Sequence, residues 1–175
     1  MSEDYQDELK QISKLKEQRK YDQALDIVNE LLIYEPDFFR LFHEKAKIYS
    51  LQRKWCLAIE LVGQAINLNP NEPMLYFSRA RWLIQNQEFF EAHDDLSKLI
   101  ALEHRFEDSY YLESAYFFRA LASSYLGDYK SVMQDCNHVR DDYSTYIIGK
   151  SHSKGSLVEL AVKSIKLGQA LFKKG

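Results

Sequence analysis

The chain has 175 residues, 46% apolar and 28% charged, which is room for one packed core and the usage of a globular protein rather than a fibre. With 23 Lys plus Arg against 26 Asp plus Glu, its net charge of -3 lacks the basic excess that drives binding to nucleic acid. Only 6 Gly and 3 Pro argue against a turn-rich sandwich or barrel.

The opening residues, Met1-Ser2-Glu3-Asp4, are acidic and read as no secretory leader. Apolar runs such as Leu31-Leu32-Ile33 and Ile147-Ile148 fall far short of the ~20 residues that cross a bilayer, so no membrane insertion is expected. From there the chain reads as successive amphipathic helix pairs. The opening helix is irregular, with Glu8, Gln11, Ile12 and Leu15. In the second pair, Phe42, Ala46 and Tyr49 form one apolar stripe, broken by Gln52-Arg53-Lys54. Trp55, Ala58, Ile59, Val62, Ala65 and Ile66 form the next, which ends at Asn67-Leu68-Asn69-Pro70.

These pairs recur. Tyr21, Trp55 and Phe89 are aromatic at a spacing of 34 residues, and Ala24, Ala58 and Ala92 follow at the same spacing. Ala46 and Ala80, Pro36 and Pro70, and Ile66 and Ile100 keep the interval of 34. The register resumes at Ala120 and Tyr129, each 40 residues after Ala80 and Phe89. Alanine belongs where two helix axes approach closely, the aromatic fills the turn, and proline ends the second helix. This pattern resembles the tetratricopeptide repeat over residues 5–142, with helix pairs at 5–38, 39–72, 73–106 and 113–144. The fourth pair carries the turn Gly127-Asp128-Tyr129 and has Val132 where alanine is usual.

The resemblance implies an all-α fold: a right-handed superhelical solenoid of about four helix pairs, read as one domain over 1–175. Extra residues near His104-Arg105-Phe106-Glu107-Asp108-Ser109 form a polar hinge, where Asp108 or Ser109 could cap the next helix. After Val139 no period is visible up to Gly155. Ser156-Leu157-Val158-Glu159 reads as a capping box opening a final helix to about Lys173, the terminal cap of the stack. Segment and cap together occupy 145–175. Lys163, Lys166, Lys173 and Lys174 are expected to be exposed on that helix.

Catalytic patterns are weak. Gly149-Lys150-Ser151 mimics the end of a phosphate loop, but Ser144 replaces its leading glycine. His43, His93, His104, His138 and His152 are dispersed. Ligand-type neighbours such as His93-Asp94-Asp95 point about 100° apart on a helix. Cys136 and His138 diverge likewise, and Cys56 and Cys136 are expected to be buried, reduced thiols. No enzyme activity, cofactor or metal is expected.

The first helix of each pair lines the concave side of such a solenoid. Partner contacts are therefore expected at Arg40, His43 and Lys47 in the second pair, Phe77 and Arg81 in the third, and Phe117, Leu121 and Tyr125 in the fourth. This face grades from basic to aromatic, which suits a protein or peptide with acidic and apolar parts. The family's carboxylate clamp is not evident, since His43 and Lys47 stand where its pair is expected. The function implied is a non-catalytic, cytoplasmic protein-binding module or adaptor dedicated to one partner. Alternatives are a bacterial secretion chaperone, a toxin-neutralising immunity protein, or a self-assembling structural protein.

Overall fold

The structure is a computed structural model that describes residues 5–104 and 110–172, the side chains of 168–172 excepted. Its order is α1 (Gln6–Glu17), α2 (Tyr21–Tyr34), α3 (Phe39–Leu51), α4 (Trp55–Leu68), α5 (Pro73–Gln85), α6 (Phe89–Glu103), α7 (Leu112–Leu126), α8 (Tyr129–Cys136), β1 (Ser144–Ile147), β2 (Lys150–Ser153) and α9 (Lys154–Phe172). The helices fall into two compact units, one up to Leu75 and one from Tyr76 on.

In the first unit, Ile12, Ala24, Val28, Leu41 and Ile48 are fully buried in one cluster, with Leu9, Leu15, Tyr21 and Phe38 packed around it. Ile12 takes the position that alanine holds at Ala46, Ala80 and Ala120, all of them fully buried. The larger side chain explains the irregular look of the opening helix without changing its role. On the second helices, Ala24, Ala58, Ala92 and Val132 are fully buried at the corresponding place. Val132 substitutes for alanine there with no loss of burial.

The turns within the pairs recur to the residue. Arg19, Arg53, Gln87 and Gly127 have positive φ of 59°, 59°, 65° and 78°. The next residue in each case donates its backbone N–H five residues back. Lys20 reaches Leu15 at 2.9 Å, Lys54 reaches Tyr49 at 3.0 Å, Glu88 reaches Leu83 at 2.9 Å, and Asp128 reaches Ser123 at 3.0 Å. This Schellman closure satisfies carbonyls at the end of the first helix and reverses the chain in three residues. Asp128 alone adds a side-chain cap, accepting from the Ser131 N–H at 3.2 Å and the Ser131 hydroxyl at 2.6 Å.

In the second unit α6 packs on α7, α7 on α8, and α9 on both α7 and α8. Leu157 and Ala161 of α9 are buried, so this helix does cap the last pair. Lys163 and Lys166 are exposed, and Lys173 and Lys174 lie outside the described residues. The capping box sits three residues earlier than expected. Ser153 Oγ accepts from the Ser156 N–H at 3.2 Å, and Ser156 Oγ accepts from the Ser153 N–H at 3.1 Å. Serine thus fills the role expected of Glu159, because the helix already starts at Lys154. The caps expected at Asp108 and Ser109 lie outside the described residues.

Two further expectations are corrected. Cys56 is exposed on α4, facing away from the stripe of Ala58, Val62 and Ala65, while Cys136 is buried as expected. The region without period holds an antiparallel hairpin, Ser144 opposite Ser153 and Ile147 opposite Lys150. Ile148 and Gly149, both at positive φ, form its two-residue turn. The phosphate-loop mimic Gly149-Lys150-Ser151 is therefore hairpin turn and strand, not a helix start.

Candidate functional site

The first helix of the second pair, α3, carries a charged cluster. Glu44 accepts from Lys16 of α1 and from Lys47 one turn on, each at 2.5 Å. Burial pushes the Glu44 carboxyl up, but Lys47 and Lys16 more than offset it and hold it below its ordinary value. His43, expected to face a partner, is only 3% exposed. Leu41, two residues before it on α3, belongs to the buried cluster of the first unit. Burial, helped by Lys47, pulls its pKa down to about 4, so the ring is neutral at pH 7. Arg40 stays exposed, its guanidinium 5.8 Å from the Phe39 ring, and Lys47 is half-buried.

In the second unit, Arg81 is exposed and lies over two rings, 5.7 Å from the Phe77 centroid and 5.8 Å from the Phe118 centroid. Phe77 meets Phe118 edge-on at 5.8 Å and packs on Tyr111 at 4.9 Å. Tyr111 is met in turn by Tyr110, which is 87% exposed. Among the described residues, no carboxylate forms an ion pair with Arg81. The result is a cation presented on an aromatic floor.

The expected aromatic end of the face is covered by the chain itself. Phe117 and Leu121 are fully buried. Tyr143, which follows α8, packs on Phe117 at 4.7 Å and donates its hydroxyl to Ser114 Oγ at 2.9 Å. Tyr125 remains 41% exposed, stacked on Phe89 at 4.2 Å with Lys150 and His152 of β2 beside it. Phe117 and Leu121 therefore act as core, because an apolar stripe at the end of a stack must be covered.

Sequence reasoning missed a repeated ion pair. Arg79 grips Asp95 with both arms at 2.7 and 2.6 Å, and Arg119 grips Asp135 at 2.9 and 2.7 Å. Each guanidinium also lies over a tyrosine, Tyr76 or Tyr116. All three residue types recur 40 apart, the interval of Ala80 and Ala120, so the signal was present in the sequence. Each pair locks the two helices of one repeat. Burial pushes the Cys136 thiol up, which keeps it protonated and unreactive. Among the described residues, no three His, Cys, Asp or Glu side chains gather as a metal site, and no helix is long and apolar enough to cross a membrane.

No family model matches the chain, and a search of curated proteins finds no relative. Solved structures do match. A MamA structure is 18% identical, covering 95% of this chain and 90% of that one at a TM-score of 0.68. The first repeat domain of Spaghetti bound to an HSP90 peptide, SRMEEVD, is 23% identical, over 67% and 89%, at 0.59. The Yersinia enterocolitica type III secretion chaperone SycD, with a peptide of the translocator YopD, is 17% identical, over 72% and 97%, at 0.63. The recurrent turns, the buried alanine positions and these neighbours define the fold as that of the tetratricopeptide repeat, an all-α stack of helix pairs with a C-terminal cap.

Proposed function

We propose that the protein is a non-catalytic binding module for a protein or peptide partner, cytoplasmic, with the whole chain acting as one helical-repeat domain. The observation that carries the reading is Arg81, exposed above Phe77 and Phe118 with no carboxylate paired to it among the described residues. A guanidinium so placed offers charge and fork geometry to an incoming carboxylate, while the half-buried Phe77 ring accepts an apolar side chain beside it. Neighbours of the same fold are seen with peptides, one of them acidic, which supports a peptide as the ligand class. Phe77 and Arg81 form the patch on the second unit, with Tyr125 exposed on α7. Arg40 and Lys47 form a separate basic patch on the first.

The test is capture of partners from the native host by the wild-type chain and by Arg81→Glu. Charge reversal at an exposed position is expected to change stability by less than about 0.5 kcal/mol. A protein recovered by the wild type and lost with Arg81→Glu supports the reading. Equal recovery by both moves the site elsewhere. Light scattering on the purified chain addresses self-assembly, which requires a dimer or larger species with no partner present.

A further inference from the structure

The segment from Val139 to Ser153 lies along the face of α7 that carries Ser114, Phe117 and Tyr125. Its attachments are both polar and apolar: Val139 is buried, and Lys154 of α9 donates to the Val139 carbonyl and to Asp141, each at 2.7 Å. Arg140 donates to Glu113 from its backbone at 2.8 Å and its side chain at 3.0 Å, and Tyr143 holds Ser114 and Phe117. Ile147 supplies a buried apolar anchor. At the far end, His152 of β2 is 6% exposed and meets the edge of Tyr125 at 6.4 Å. Its Nε2 is buried and makes no hydrogen bond among the described residues. A neutral ring leaves one lone pair unsatisfied there, a smaller cost than that of an unpaired buried charge. A protonated ring places a charged N–H in the same spot, with nothing to receive it.

The surroundings make protonation worse. Lys150, two residues away on the same strand, lies 5.6 Å from the Tyr125 ring and repels a charge on His152. From α7 the titratable neighbour is Tyr125, which meets the ring edge-on. No carboxylate on α7, α9 or the hairpin acts on the ring among the described residues, and only a hydrogen bond with the Ile147 backbone favours the charged form. Burial and Lys150 outweigh it and hold the His152 pKa below its ordinary value.

We propose that the β1–β2 hairpin is a pH-sensitive strap, closed over the α7 face at neutral pH and released when His152 takes up a proton. The sign follows from linkage. The open hairpin presents His152 to water, where it titrates near 6.5, whereas the closed hairpin resists the proton. Lowering the pH through about 6.5 therefore favours the open form. Opening uncovers the rest of Tyr125, an aromatic surface that belongs to the proposed binding residues. That last consequence rests on the binding reading, whereas the strap itself does not.

Hydrogen exchange of the full chain, followed peptide by peptide at pH about 7.5 and about 5.5 and corrected for intrinsic rates, tests the strap with no partner present. Backbone amides of 144–153 are expected to lose protection about tenfold for each unit by which closure lowers the His152 pKa. His152→Phe and His152→Gln remain neutral at both pH values, and both are expected to remove the pH effect. The proposal is overturned if hairpin protection is the same at both pH values. It is equally overturned if the two variants lose protection as the wild type does, or if α1–α4 loosen to the same degree, since the transition would then be global. A strap that behaves as expected while Arg81→Glu leaves partner capture intact separates the two readings.

Discussion

Arg53 holds φ 59° in the turn between α3 and α4, a conformation that costs an L-residue roughly 1–2 kcal/mol and glycine almost nothing. Arg53→Gly is therefore expected to raise stability by about 0.5–1 kcal/mol, read as a higher denaturant midpoint with an unchanged slope. A lowered midpoint would show that the Arg53 side chain outweighs the strain of its backbone. Ala58 tests the packing register, since it is fully buried on α4. Ala58→Leu is expected to cost ~1–3 kcal/mol by overpacking, and an unchanged midpoint would refute the close approach there. His43 sets a pH dependence. Folded, it resists protonation down to about pH 4, whereas the unfolded chain takes a proton near 6.5. Stability is fully present above 6.5 and falls as the pH drops toward 4, by about 3 kcal/mol in all. His43→Leu is expected to flatten that slope, which urea titrations at several pH values measure. The burial of His43 was hidden in the sequence because a histidine beside Glu44 and near Lys47 reads as part of a solvated face, and only tertiary packing decides otherwise.

At the scale of elements, the repeated Arg–Asp pair and the hairpin show what periodicity reveals and what it conceals. Asp135→Ala leaves the Arg119 guanidinium without its carboxylate and is expected to cost about 3 kcal/mol. Replacing both partners by apolar residues of similar size is expected to recover most of that loss, as a double-mutant cycle measures. The pair was readable at the interval of 40, but charged residues on amphipathic helices look like solvated faces until two of them are seen to meet. The hairpin had a weaker signature. Its turn places a β-branched residue, Ile148, at φ 53°, where Asn, Asp or Gly is the usual choice. Without Asn-Gly or Asp-Gly, strands of four residues read as coil. Gly149, at φ 72°, is the half of the signal that was present.

For the molecule as a whole, the repeat interval made the helix pairs and their boundaries legible, because stacking fixes which positions are small and which are large. It did not say which apolar stripe would meet a partner and which would meet the rest of the chain. Phe117 and Leu121 show the difficulty: the same composition serves a binding face or a covered end, and the segment that covers them lacks a period of its own. Removal of residues 154–175 is expected to expose the faces of α7 and α8 that α9 covers and to lower the midpoint of unfolding sharply, seen by calorimetry. A truncated chain with an unchanged transition would mean that α9 contributes nothing to the stack. The Arg–Asp locks have a kinetic side as well. Each joins residues only 16 apart, so it closes with little loss of chain entropy and can form before distant contacts do. The second unit is thus built to nucleate at α7–α8 and α5–α6 and to add α9 last. Asp135→Ala is accordingly expected to slow refolding more than it speeds unfolding, whereas loss of α9 contacts through Leu157→Ala is expected to do the reverse.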